Sequence, residues 1–357
     1  MQNLNKTALY NEMEKVGGKM VDFFGWALPI HFGSILAEHK IVREHCGIFD
    51  VSHMGQIFVE GKDAYKFIQL INTNNVKNEA GRGAYSHIPN DNGGIIDDVI
   101  NFCLSEEKFL IIVNASTQEK DFEWFNKKAT GLDVKITNES KNFSMLAVQG
   151  PEAMQIIEKL EPKALEIKRF GILACQIFGQ DSFITRTGYT GEDGVEVIIP
   201  HSTAPKIWQF FLENGSKPCG LGARDILRLE AGYLLYGADI DDTHSPIEAG
   251  YGWVVKLKND REYASKEIFA KQKAEGVKTK LTGFVVSGGV PRSGCEILYN
   301  GNVVGKLTSG VFSPLFKGIG VGYIPTDLPE DAEFEINFGN RMGKAQKAKI
   351  PFYNNKV

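Results

Sequence analysis

Three observations predict an α+β fold of mostly antiparallel sheets that ends in an all-β domain. Glycine supplies 38 of the 357 residues, above the ordinary share of roughly 7%. These glycines are scattered at tight-turn positions, as expected where many strands must be joined. Short amphipathic helical stretches alternate with strand-like runs through about residue 275. Beyond residue 281 the helical period disappears, and short β-rich runs separated by glycine turns replace it.

Residues 5–20 and 34–46 are expected to be helical. Ser34 can cap the second helix, and Ile35, Val42 and Cys46 give it a partial apolar stripe. A further amphipathic helix over 61–71 aligns Ala64, Phe67, Ile68 and Ile71. A meander follows, with strands at 85–88, 95–104 and 109–114 and turn chemistry at 89–94. Ser116 and Glu119 form a capping box for a helix reaching about residue 127. Pro151 and Glu152 open a helix over 151–160. Strands at 174–178, 183–187 and 195–199 precede a helix from 223 to about 235. The charged run 256–275 reads as helix and leads to Gly276, with a domain boundary near 275–281. Strands at 281–286, 296–299, 303–308 and 320–323 build the last domain, and no internal repeat is evident.

Forty Lys+Arg against 44 Asp+Glu give a net charge of -4, which excludes a bulk basic footprint for nucleic acid. The longest wholly apolar runs are a few residues, against about 20 for a bilayer span. The opening MQNLNKTALYNEMEK has no apolar core, so no secretory signal is expected. Five widely spaced cysteines without CxxC read as reduced thiols. No HExxH and no Cys/His cluster occur; His39, His45 and His53 come nearest, and no metal is expected.

Four segments could carry chemistry. In NGGIIDDVI (92–100), strand alternation puts Ile96, Asp98, Ile100, Phe102 and Leu104 on one apolar face. Asp97 shares a more polar face with Asn101 and Cys103. Asp98 should therefore point inward and Asp97 outward. A carboxylate on an apolar face is costly without a partner. It is either a buried Asp satisfied by backbone donors or an arginine, or a site carboxylate awaiting a cationic or N–H-bearing ligand. In TGYTGEDGVE (187–196), a glycine-rich loop enters a strand where Glu196 interrupts the apolar run Val195, Val197, Ile198, Ile199. Glu196 either pairs with a core arginine or accepts the N–H donors of a flat heterocycle. The loop lacks a Lys-Ser/Thr pair and leads into a strand, so it is no phosphate-binding fingerprint. In GARDILRLEAG (222–232), Arg224 and Arg228 lie one helical turn apart and share a face, suited to a buried or ligand carboxylate. In FDVSHMG (49–55), Ser52 and His53 would point to opposite strand faces and cannot be a nucleophile–base pair; Met54 could wall a flat ring.

Taken together, these segments resemble the glycine cleavage system T-protein family, the aminomethyltransferases. The resemblance covers essentially the whole chain. It runs through Gly18-Lys19-Met20, Phe24-Gly25-Trp26, Pro29, FDVSHMG, NGGIIDD, Asn114-Ala115-Ser116, LAVQGPEA (146–153), GYTGEDGVE, GLGARDILRLEAGYLLYGADI (220–240), SPIEAG (245–250), TSG (308–310) and Pro351-Phe352.

The resemblance implies a three-domain cloverleaf around a central tetrahydrofolate cavity. Its first domain would be discontinuous: 1–52 with 138–225 and part of 250–280. The second would be 53–137 with about 226–250, and the third 281–357. It implies transfer of the methylene carbon of an aminomethyl-dihydrolipoyl H-protein to tetrahydrofolate, releasing ammonia. Asp98 matches the family's catalytic aspartate and Glu196 its pterin-recognising glutamate. Asn114 and Arg224 match polar cavity groups, and Met54, Tyr85 and Tyr189 match cavity walls. No metal is implied. The same cavity serves folate-dependent demethylases and a non-catalytic folate-binding relative in iron–sulfur assembly, which are the alternative readings. Asn101 departs from a frequently aromatic or apolar position, and the short tail PFYNNKV gives Tyr353 no assigned folate contact. A monomer meeting H-protein transiently is expected, in a bacterial cytoplasm or, for an imported protein, the mitochondrial matrix.

Overall fold

The computed structural model describes residues 4–258 and 260–355. Expectations that touch 1–3, 259 or 356–357 lie, at those positions, outside the described residues. The sequence from Gly55 to Asn138 folds as one antiparallel sheet, in the order Gly83–Pro89, Ile95–Ser105, Lys108–Val113, Gly55–Glu60, Lys135–Asn138. Helices Ala64–Ile71 and Gln118–Lys128 cover one face. Their Phe67, Ile68, Ile71 and Phe125 pack on Ile57, Val59, Val99 and Ile111. The opposite face presents Phe58, Phe102, Leu110 and Ile112 to a second sheet.

That second sheet has six strands, in the order Ile172–Ile177, Gln180–Thr185, Gly194–Pro200, Phe143–Gln149, Gly47–Asp50, Lys217–Pro218, and only its last pair is parallel. Alternation along Gly194–Pro200 sends Val195, Val197 and Ile199 into a core with Ile157, Trp208 and Phe211. Ile198 packs instead toward the first sheet, beside Phe49, Met145 and Ala147. Glu196 lies on that same inner side.

Residues 279–348 close into a six-stranded barrel whose first and last strands, Thr279–Val286 and Met342–Ala348, pair. Phe284, Ile297, Leu307, Phe334 and Ile336 fill it. Helix Leu221–Glu230 joins barrel to sheets. Ile226 and Leu229 pack on Val311, Ile319 and Val321. On the same helix Glu230 is fully buried and accepts from Arg43 (2.6 Å), Ser313 (2.5 Å) and His39 (2.9 Å).

Several element expectations are corrected. The first helix is only Tyr10–Lys15, followed by the hairpin Met20–Phe23 and Trp26–Pro29. Gly17 at φ +88° stops it, because that conformation belongs to the left-handed region. The helix near 223–235 ends at Glu230, before Gly232 at φ +72°. Helix in the charged run is confined to Lys266–Glu275. The Ser116 capping box is not formed. Thr117 occupies the cap position without a side-chain cap, and its hydroxyl donates to the Asn114 carbonyl at 3.0 Å. Strand Phe143–Gln149 had no period to reveal it, since both its faces are buried.

Candidate active site

A cavity of about 190 Å³ opens between the inner faces of the two sheets, closed by the segment that follows helix Leu221–Glu230. Asp98, Asn114, Tyr85, Met54, Tyr189, Glu196 and Arg224 all line it, although they come from widely separated parts of the sequence. All seven residues that the family resemblance implied are therefore on one cavity wall or another.

Asp98 is part-buried on the long strand Ile95–Ser105. Its Oδ2 accepts from the Tyr85 hydroxyl at 3.0 Å, and its Oδ1 accepts from the Asn114 amide at 2.8 Å. Burial, then the adjacent Asp97 charge, raise its pKa to about 7 against those two donors.

Asp97 does not point outward. It is fully buried, and its carboxylate accepts from the Asn114 backbone N–H (3.0 Å) and side-chain amide (2.8 Å). The polar face is roofed by helix Gln118–Lys128, so at Asp97 this side of the strand does not meet solvent. That helix brings Asp121 against Asp97, fully buried and lacking an ordinary hydrogen-bond donor for either oxygen. Burial and the Asp97 charge push the Asp121 pKa up to about 11. Of the two buried carboxyls, Asp121 is the one that favours its neutral form. Asn114 gains its orientation from this arrangement, with one amide bridging both neighbouring carboxylates.

Glu196 is 8% exposed and accepts from the Thr187 hydroxyl at 2.5 Å. Burial raises its pKa, while Thr187 and Arg224 oppose the shift. Arg224 lies with its guanidinium carbon 4.5 Å from the Tyr189 ring centroid, and its buried Nη1 has no partner among the described residues. Tyr189 donates to the Leu234 carbonyl and stacks on Tyr233 at 5.7 Å. The arrangement offers a flat ligand aromatic and thioether walls, a carboxylate for N–H groups and a guanidinium for an anion or carbonyl.

Arg228, one turn from Arg224, does not reach this space. It is buried in an ion pair with Asp239 at 2.6 Å and donates to Ser309 at 2.8 Å. Ser52 and His53 do not pair: the Ser52 hydroxyl donates to the Met145 carbonyl at 3.3 Å, and His53 lines the cavity. Asn101 is explained by a reciprocal amide pair with buried Asn72, at 2.9 and 3.1 Å. Tyr353 stacks over Arg43 at 3.8 Å and donates to Glu192 at 2.8 Å, beside a second, polar cleft.

Sequence reasoning missed Tyr251, Trp253, Phe23 and Phe24, which also line the cavity. Tyr251 caps and Trp253 lies within a single 3-10 turn, Gly252–Val254, and both line the cavity next to Tyr85. The signal available was an aromatic pair set around a glycine where no helical period exists.

The GCVT N-terminal domain family matches residues 9–259, and the glycine cleavage T-protein C-terminal barrel domain family matches residues 279–354. The chain belongs to the glycine cleavage T-protein family. It is 42% identical over 358 residues to an aminomethyltransferase of Halothermothrix orenii, covering 98% of this chain and 100% of that one. It is 44% identical over 356 residues to an aminomethyltransferase of Francisella tularensis, covering 98% of each. The crystal structure of glycine cleavage system aminomethyltransferase T from Bartonella henselae superimposes with a TM-score of 0.93 at 32% identity, covering 98% of both chains. The protein is an aminomethyltransferase of the glycine cleavage system. Among the described residues, no helix is long and apolar enough to cross a membrane.

Proposed function

We propose that Asp98 is the catalytic carboxylate of this aminomethyltransferase and that Glu196, Asn114, Arg224, Met54, Tyr85 and Tyr189 hold tetrahydrofolate in the cavity. Lipoylated H-protein supplies the carbon as an aminomethyl group on its dihydrolipoyl sulfur. The C–S bond and the C–NH2 bond break, and two C–N bonds form to the folate N5 and N10. The two folate N–H protons go to the sulfur and to ammonia, so the products are methylene-tetrahydrofolate, reduced lipoyl and ammonia.

The methylene carbon becomes cationic, iminium-like, between losing one partner and gaining the next. An anion held in a dry cavity stabilises such a carbon. Asp98 can do so because Tyr85 and Asn114 fix its two oxygens. Glu196 accepts the N–H edge of the pterin, with Thr187 fixing one carboxylate oxygen. Arg224 supplies a buried donor, and Met54 and Tyr189 wall the ring.

The observation that carries this reading is a doubly hydrogen-bonded Asp98 on the same cavity as the Thr187-anchored Glu196. Ammonia release from aminomethyl-loaded H-protein, with and without tetrahydrofolate, tests it. Folate-stimulated release with methylene-tetrahydrofolate formed supports it. Folate binding with release unchanged defeats it and redirects attention to small methylated donors.

The working unit in this proposal is a monomer without metal, nucleic acid or membrane, in a bacterial cytoplasm. Its discontinuous first and second domains follow the two sheets, at 1–52 with 138–225 and part of 250–280, and 53–137 with about 226–250.

A further inference from the structure

His87 stands directly across the strand pair from Asp98 in the ladder register, and two residues along from Tyr85 on the same face. It is fully buried and stacks on Tyr251 with ring centroids 5.6 Å apart. Its Nε2 lies 3.1 Å from the Tyr85 hydroxyl oxygen, and that oxygen lies 3.0 Å from Asp98 Oδ2. Its Nδ1 is buried with no hydrogen-bond partner among the described residues.

Proton counting along this row decides its direction. A phenol has one proton, and an ionised carboxylate can only accept. With Asp98 ionised, the Tyr85 proton points at Asp98, and the bond to His87 needs a proton on Nε2. Neutral imidazole then leaves Nδ1 as a bare lone pair, matching its lack of an acceptor. The reverse row has Asp98 protonated, Tyr85 donating to Nε2 and the imidazole proton on Nδ1. That row would bury an N–H with nothing to receive it, which is the costlier state. A charged imidazolium is ruled out at working pH, because burial pulls its pKa down to about 3.

We propose that His87 is a positioning residue which, as its Nε2–H tautomer, turns the Tyr85 hydroxyl onto Asp98 and so holds Asp98 as the anion. It touches neither substrate nor reacting carbon and acts through Tyr85. The inference rests on Asp98 being the reacting carboxylate. The other titratable groups around Asp98 are Asp97 on its own strand, Asp121 behind Asp97, Tyr85 on the neighbouring strand, Tyr189 in the glycine-rich loop and Tyr251 after helix Leu221–Glu230. A His87 substitution leaves all of these in place.

The test has two arms. Long-range 1H–15N spectra of the histidine-labelled enzyme identify the protonated ring nitrogen of His87, assigned by its loss in His87→Gln. A proton on Nε2 supports the inference, and a proton on Nδ1 overturns it. In the second arm, pH profiles of kcat/KM are compared for wild type, His87→Leu and His87→Gln, whose amide can replace the donor. Losing one orienting hydrogen bond should lower kcat about 3–10-fold. The acid limb should move up by about half to one pH unit. KM for tetrahydrofolate should stay within about twofold, and Gln should restore most of the loss. A folded His87→Leu enzyme with an unmoved profile overturns the inference, and if that variant fails to fold, the wild-type tautomer decides alone. Asp98→Asn with full turnover would instead defeat the Asp98 assignment, whatever the tautomer.

Discussion

Asp98→Asn keeps the outline of the side chain and removes its charge. Asn Oδ1 can still accept from the Asn114 amide, and its NH2 faces the Tyr85 oxygen, so the local packing is preserved. A unit positive charge developing about 4 Å from the carboxylate, at an effective dielectric of about 20, is stabilised by about 4 kcal/mol. The amide dipole recovers part of this, leaving a loss of about 3–4 kcal/mol, or roughly 10²–10³-fold in kcat. With the free-enzyme pKa at about 7, about half of the wild-type enzyme is ionised at neutral pH, so comparison at pH 8 gives the fuller ratio. Ammonia release under saturating H-protein and folate measures kcat. Quenching of Trp253, which lines the cavity, measures folate affinity. Affinity should change by less than about fivefold, since the charge is used only when the carbon becomes cationic. A turnover loss below about tenfold, or equal losses in turnover and affinity, would refute the electrostatic role.

The pH profile itself carries a sign. Burial and Asp97 raise Asp98 to about 7, so the active anion accumulates as pH rises through neutrality, and kcat/KM should climb there. An acid limb near pH 4, where an ordinary carboxylate titrates, would contradict the buried pair. Glu196→Gln should raise the tetrahydrofolate Kd about 10–100-fold, the worth of a charged hydrogen bond, with kcat at saturation within about threefold by the same ammonia assay. Arg228→Leu strands the fully buried Asp239 and should cost about 3–5 kcal/mol in urea denaturation; a cost below about 1 kcal/mol would show that Thr308 and the Leu235 N–H suffice for it.

Much of the site was legible because its carboxylates break local patterns. Asp98 sits in an alternating strand and Glu196 in an apolar run, and each violation turned out to face the cavity. Asp97 was misjudged for a reason alternation cannot supply. Period-2 logic assigns faces, but only tertiary packing says whether the second face meets water, and here helix Gln118–Lys128 covers it. Arg224 and Arg228 were indistinguishable as helical neighbours, because what separates them is the barrel that delivers Ser309 to one and not the other. His87 carried no signal at all: a single histidine in a strand gains meaning only from its register opposite Asp98.

The Asp97–Asp121 pair gives the site a property that a lone carboxylate would lack. An isolated Asp in an apolar wall with two good donors would be driven toward permanent ionisation or, without them, toward permanent neutrality. Burial and then Asp97 push Asp98 upward while Tyr85 and Asn114 pull it down, and the balance falls at about 7. Burial raises both Asp97 and Asp121, and the higher shift of Asp121, to about 11, places the shared proton there and the charge on Asp97. In the proposed reaction an arriving cation favours the ionised form of Asp98 and lowers its pKa, so binding and ionisation reinforce each other. The cost of holding a bare charge in the cavity is then met mainly when the cation that needs it is present. Removing Asp121 should therefore be felt at Asp98, two carboxyl groups away, through Asp97 and the amide of Asn114 that bridges them.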